Sequence, residues 1–306
     1  MSQAAPIEVR PARRRDSARL AGFLSTAPRG PGVGESADSP LGGDLRDRVV
    51  AVRGDEILGT CRCTPGAGRC AVVSPPRLAA WDEPLAARLC RAAAARACRR
   101  HGVRLIQSLT EPDAAGPLAP VLEQAGFERL AVLAYMRRSV GPEDRDLELA
   151  AGLAWPHYSL LRHRKFARTI AATYQDSLDC PRLAGLRSVD DAIATHRHTG
   201  TFAPHAWRLA LEAGQPVGVS LVNNLQGRGE LVYLGVVPAA RGRGMGRTLL
   251  ARAIRDTAGM GLPSMGLAVD VANAPAMHLY EEAGFREIRR RLAYFIPRET
   301  LETLVE

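Results

Sequence analysis

The chain has 306 residues, 46% of them hydrophobic and 24% charged; these are ordinary globular proportions, and the length suits two domains of about 150 residues better than one. No stretch supplies the ~20 consecutive apolar residues of a membrane span, and the opening MSQAAPIEVRPARRR lacks the apolar run of a secretory signal, so a cytoplasmic protein is expected. Its 41 Lys+Arg against 32 Asp+Glu leave a net charge of +9, yet aromatics make up only 5%, so the arginines are not interleaved with stacking platforms and nucleic acid is not the partner they indicate.

In chain order, IEVR at 7–10 alternates as a strand, and PARRRDSARLAGFLSTA follows as a helix with Leu20, Phe23 and Leu24 on one face behind a capping Asp16. A glycine- and proline-rich loop is expected over 27–43. RVVAVRG, EILGTCRC and GRCAVVS read as a three-strand meander, turned first at Gly54-Asp55. A helix over 82–100 carries Leu85, Leu89, Ala93 and Ala97 on one face and stops near Gly102. The strand VRLIQSL, a short helix ending at Gly126 and the strand FERLAVLAYMRR complete the first half.

The phrase VLEQAGF at 121–127 returns as LYEEAGF at 279–285, 158 residues later. An internal repeat of about half the chain implies two copies of one domain. The second half repeats the order: WRLALEAG, QPVGVSLVNN and GELVYLGVV as strands, the turn RGRGMG, the helix RTLLARAIRDTAG, the strand MGLAVDV, the helix NAPAMHLYEEAG and the strand FREIRRRLAYFI. The expected division is a domain over 1–140, a polar linker over 141–154 and a second domain over 155–306. Each is an α/β (α+β) unit with a twisted mixed sheet flanked by helices.

The six cysteines (61, 63, 70, 90, 98 and 180) lack a second CxxC or HxxxH to complete four metal ligands and read as reduced core thiols. His196, His198 and His205 are the closest group of histidines, and they too lack metal-ligand spacing; no metal is expected.

The most informative stretch is LGVVPAARGRGMGRTLL at 234–250. A β-rich run stops at Pro238, and a glycine-rich turn leads straight into a helix. Free N–H groups at a helix start favour an anion, glycines at 242, 244 and 246 let backbone approach a phosphate, and Arg241, Arg243 and Arg247 add donors. A Walker loop is excluded because Gly246 is followed by Arg247 and not by Lys-Ser/Thr. A dinucleotide fingerprint is excluded because the turn follows a meander late in its domain.

VVPAARGRGMGRTLL resembles motif A of the GNAT superfamily of acyl-CoA-dependent N-acyltransferases, with Arg241, Gly244 and Gly246 in the Arg/Gln-x-x-Gly-x-Gly/Ala places. NAPAMHLYEEAGF resembles the family segment in which an asparagine precedes a Tyr-x-x-x-Gly-Phe helix end. The likeness covers residues 200–296, and both halves resemble such domains at their opening and closing elements. It implies acetyl-CoA as acyl donor, its pyrophosphate on the amides of Arg241, Gly242, Arg243, Gly244, Met245, Gly246 and Arg247. It further implies pantetheine contacts from Leu234, Val236 and Val237, an oxyanion donor near Val236 and a coenzyme contact from Asn273, which also suits a helix N-cap.

By the same resemblance Tyr280 protonates the leaving thiolate, and Glu230, six residues before Val236, takes the amine proton. The Asp190-Asp191 pair and the three histidines lie where an acceptor amine would bind. The first half lacks these features: SPPRLAAWDEPL replaces the glycine turn, Leu122 stands in place of Tyr280 and Ala115 in place of Asn273. The expected protein is an N-acetyltransferase acting on a small-molecule or peptide amine, with a silent N-terminal copy. A non-catalytic acyl-CoA sensor or interaction protein is the alternative.

Overall fold

The apolar alternation of IEVR makes β1 (Glu8–Pro11), and a 3-10 turn leads into α1 (Ser17–Thr26). The structure, a computed structural model, describes residues 5–28, 44–112 and 115–304, so the loop expected over 27–43 lies outside the described residues from position 29 on. Asp16 gives no side-chain cap to α1. Its fully buried carboxylate instead accepts two hydrogen bonds from Arg10, at 2.7 and 3.0 Å, and a third from the Arg13 N–H. A buried charge needs such partners, and the Arg10 bond holds the carboxyl down to about 2.

The expected meander is β2 (Arg48–Arg53), β3 (Glu56–Gly66) and β4 (Cys70–Val73), with the short β5 (Arg77–Leu78) returning to β3. The Ala/Leu-rich α2 (Glu83–His101) starts where the Asp82 carboxylate accepts the Leu85 N–H at 2.9 Å and ends at Gly102, whose φ of +60° suits glycine. Then come β6 (Leu105–Thr110), α3 (Ala115–Gln124) and β7 (Glu128–Ser139).

The second half adds β8 (Leu153–Ala154), α4 (His163–Thr173), α5 (Val189–Arg197), β9 (Trp207–Glu212), β10 (Gln215–Leu225), β11 (Arg228–Val236), α6 (Met245–Gly259), β12 (Ser264–Asp270), α7 (Ala274–Glu282), β13 (Arg286–Phe295) and α8 (Arg298–Thr303).

Two compact units result, one of Met1–Ala131 with Arg291–Glu306, the other of Val132–Arg290. In the first, the sheet order is β1-β2-β3-β4-β6-β13, with only β4 and β6 parallel. In the second it is β7-β12-β11-β10-β9-β8, with only β11 and β12 parallel. Each sheet is thus closed by a strand written in the other half of the sequence. Residues 133–139 of β7 pair with β12, and residues 292–295 of β13 pair with β6. The units therefore differ from the contiguous stretches 1–140 and 155–306. The segment expected as a linker belongs to the second unit, where Asp144 accepts from Arg138 at 2.8 Å.

In the second unit α6 covers one sheet face, packing Leu250, Ala253 and Ile254 on Val222, Leu231 and Leu267. On the other face α4 and α5 set Phe166, Ile170 and Ile193 against Trp207, Val219 and Leu221.

Candidate active site

The site follows from one extra residue. Leu221 pairs with Tyr233 but Val222 pairs with Leu231, so Val232 is bulged out of the β10–β11 ladder. A bulge bends its strand and increases its twist. The parallel pairing of β11 with β12 ends beside it, at Leu231↔Leu267. Beyond that point β11 stays with β10 as far as Val236, while β12 stays with β7 as far as Asp270. The two strands part, and a cleft of ≈ 620 Å³ opens between them, lined by Leu231–Val236, Leu267–Val269, the glycine turn, α7 and residues 176–179.

At one end of the cleft stands the start of α6. Gly242 and Gly244 hold φ near +73° and +74°, and a Cβ at either would meet nothing within 4 Å, so conformation and not space requires glycine there. Gly244 is the N-cap and offers no side chain, so the first N–H groups of α6 carry no side-chain cap. Uncapped donors plus the helix dipole favour an anion at such a helix start. The N-terminus of α2 in the first unit is capped by the Asp82 carboxylate and preceded by Pro75 and Pro76. It carries the wrong charge for the same task.

The arginines divide differently from expectation. The Arg241 guanidinium is spent on four main-chain carbonyls, those of Val236 (3.2 Å), Thr173 (3.0 Å), Gln175 (2.7 Å) and Asp176 (3.1 Å). It ties the loop after α4 to the end of β11, leaving its backbone for the cradle. Arg243 pairs with Glu212 at 2.9 Å and Arg247 with Glu282 at 2.6 Å, both at the surface. The Met245 side chain is buried in the core under α6. The Val237 N–H donates to the Val217 carbonyl at 3.1 Å, and Val237 is not among the lining residues, whereas Leu234 and Val236 are.

On the opposite wall α7 begins at Asn273, whose side chain accepts the Ala276 N–H at 3.3 Å, and Pro275 follows in the first turn. One turn further on, Tyr280 lines the cleft while only 8% exposed, its ring edge-on to Phe285 at 5.9 Å. Burial, with the charge of Asp179 adding to it, pushes the phenol well above its ordinary range, and no hydrogen bond lowers it.

Glu230 is placed apart from these groups. It lies on the paired stretch before the splay, opposite Gly266, and accepts from Arg228 at 3.3 Å; it is not a lining residue. Burial raises its carboxyl, opposed by Arg228, Arg137 and Arg289. Asp191 serves a capping box with Ser188 and Asp190 pairs with His163 at 3.1 Å, so both are occupied at the start of α5. His196 is half-buried against Tyr233, His198 Nδ1 donates to the Ala194 carbonyl (2.8 Å), and His205 is exposed. Among the described residues no three His, Cys, Asp or Glu side chains form a metal-holding group, and no helix is long and apolar enough to cross a membrane.

The lining residue that sequence reasoning missed is Asp179. No periodicity or motif marks it, since it sits in an irregular loop whose fold is set by carbonyl contacts to Arg241.

The acetyltransferase (GNAT) family profile matches residues 170–285, which holds the splayed strands, the turn and α7. A mycothiol acetyltransferase from Thermomonospora curvata is 30% identical over 230 residues, covering 65% of this chain and 70% of the relative. Another, from Streptomyces bingchenggensis, is 39% identical over 95 residues, 30% of this chain and 31% of the relative; that match and two further high-identity ones span under a third of the relatives' own length. A GCN5-related N-acetyltransferase from Sphaerobacter thermophilus superposes with a TM-score of 0.60 over 95% of this chain and 96% of that one, at 18% identity, a likeness of fold. Sequence likeness over most of a relative and fold likeness over the whole chain agree with the cleft built here: the chain belongs to the GNAT family of acetyltransferases.

Proposed function

We propose that the second unit moves the acetyl group of acetyl-CoA directly to a primary amine, and that the first unit is a catalytically silent copy. The observation that carries this reading is that an uncapped helix N-terminus and the buried phenol of Tyr280 line the same strand-splayed cleft. The α6 amides, from Gly242 to Arg247, suit the coenzyme pyrophosphate, with Arg243 and Arg247 free to exchange their surface carboxylates for phosphate oxygens. The edge of β11 that β12 has left, at Leu234 to Val236, suits the amide groups of pantetheine as an added strand. An N–H near Val236 would face the oxyanion, and Asn273 would touch the coenzyme while capping α7.

Tyr280 then has one task. Its raised phenol stays protonated at neutral pH, so it holds the proton that the departing thiolate needs. The first unit has lost each part: its helix is capped by Asp82, and Leu122 is fully buried in its core. The relatives named mycothiol acetyltransferase make a small-molecule amine the first acceptor class to try.

The test is incubation of the full chain with acetyl-CoA and L-cysteinamide, D-glucosamine, L-lysine or spermidine, following thiol release and product mass. Turnover with at least one amine is expected. Tight coenzyme A binding with no acetylated product from any amine would point instead to a sensor of acyl-CoA.

A further inference from the structure

The reaction needs an amine without its ammonium proton, and Glu230 stands outside the cleft. A carboxylate does stand inside it. Asp179 lines the cleft with Tyr280 and Tyr233 and is exposed to solvent. Its Oδ1 accepts the Asp270 N–H at 3.3 Å, where β12 ends. The Arg241 clamp on the carbonyls of Thr173, Gln175 and Asp176 fixes the same loop to β11 at Val236. One guanidinium thus sets the spacing between this carboxylate and the strand that would carry the thioester.

Building on the acetyl-transfer reading, we infer that Asp179 receives the acceptor's ammonium group and takes the proton it must lose before attack. The acceptor class is therefore a cationic primary amine. Its immediate surroundings fit a cation: the carboxylate of Asp270 on β12, itself 4% exposed, adds negative charge, and the aromatic side chains of Tyr233 on β11 and Tyr280 on α7 line the same cleft. The Tyr280 hydroxyl, on a side chain more than nine-tenths buried, makes no hydrogen bond among the described residues, and Tyr280 lines the same space.

The other titratable groups facing Asp179 are Cys180 and Tyr174 on its own loop. Partial desolvation by the cleft walls, with the Asp270 charge adding to it, pushes the Asp179 carboxyl upward, against the hydrogen bond from the Asp270 N–H. That makes it a better proton acceptor than an ordinary aspartate.

The proton count closes. R–NH3+ gives one proton to Asp179, which passes it to solvent. The R–NH2 lone pair forms the C–N bond at the thioester carbonyl, and the C–S bond breaks as the tetrahedral oxyanion collapses. The thiolate takes the Tyr280 hydroxyl proton, and the phenolate recovers one from the amide nitrogen. The sum is amide, thiol and one released proton.

Asp179→Asn keeps an oxygen for the Asp270 N–H and removes the charge. In the full chain, kcat/KM for the panel amine turned over fastest should fall about 100-fold or more at pH 7, with KM for acetyl-CoA within about 3-fold. The loss should shrink as pH approaches the amine's own pKa, and Asp179→Glu should recover part of the rate. Wild-type kcat/KM at pH 7 in Asp179→Asn overturns the role, as does a loss that is equal at every pH and shared by acetyl-CoA binding. Should the variant fail to fold in a thermal melt, wild-type profiles with two amines of different pKa decide. An acid limb that stays fixed supports Asp179, and a limb that tracks each amine overturns it. Absence of any acetylation by the wild-type chain overturns the acetyl-transfer reading and this role with it.

Discussion

The two copies of the heptapeptide differ at three places, and at one of them, Leu122 against Tyr280, the surroundings explain the difference. Leu122 is sealed among Ile106, Leu118 and Phe127, where a hydroxyl would have no partner, whereas Tyr280 is buried but bordered by the cleft. Tyr280→Phe should lower kcat by about 10² to 10⁴-fold in the thiol-release assay, with coenzyme A binding unchanged by calorimetry. Leu122→Ala should do the reverse, costing about 2–5 kcal/mol of stability by cavity formation while leaving kcat of the folded chain unaltered. A Tyr280→Phe enzyme as fast as wild type would remove the acid from the scheme.

Gly244 is a second residue whose cost can be isolated. With nothing within 4 Å of a Cβ, alanine there meets only the left-handed backbone, φ near +74°, at about 1–2 kcal/mol. Gly244→Ala should therefore weaken both the urea midpoint and coenzyme A affinity. Gly259→Ala, in the same helix with equally open space and no positive φ, should leave both intact.

At the scale of elements, α5 brings a proton-linked weakness to the second unit. Burial against Tyr233, with Arg187 adding to the effect, holds the His196 imidazole down to about 3. An unfolded histidine titrates near 6.5, so the unfolded chain binds a proton that the folded one refuses between those values. Stability is present above pH ~6.5 and is lost as pH falls toward 3. His196→Phe should flatten that fall in urea midpoints measured from pH 7 to 4. An unchanged slope would show that other groups govern acid unfolding.

Element order, the glycine turn and the Asn273 cap were all legible in the sequence because each is written locally, in period-2 or period-3.6 patterns and cap residues. The bulge was not, since LVYLGVV reads as an uninterrupted strand and the extra residue exists only against Leu221 and Val222 on β10. Arg241 carried a family motif but not its partners, three of which are carbonyls some 65 residues upstream, at Thr173, Gln175 and Asp176. Asp179 had no local signature for the same reason.

For the whole molecule, the repeat was legible and the exchange of closing strands was not, because β7 and β13 sit in line with their own copies in sequence. A chain cut to 155–306 deletes β7 and strips β12 of its antiparallel neighbour from Ser264 to Asp270, exposing a sheet edge that invites aggregation. It should be insoluble or lack coenzyme A binding, while 132–290, which retains that strand, should be soluble and bind. The opposite result, a well-folded 155–306, would show β7 to be dispensable.

The same exchange fixes an order of events during synthesis. The N-terminal unit, made first, keeps the edge of β6 bare until residues 292–295 leave the ribosome. The half of the gene translated first therefore waits for the far end of the second half to complete its sheet, and a nascent chain stalled before β13 would carry an open edge for a chaperone, or for another nascent chain, to find.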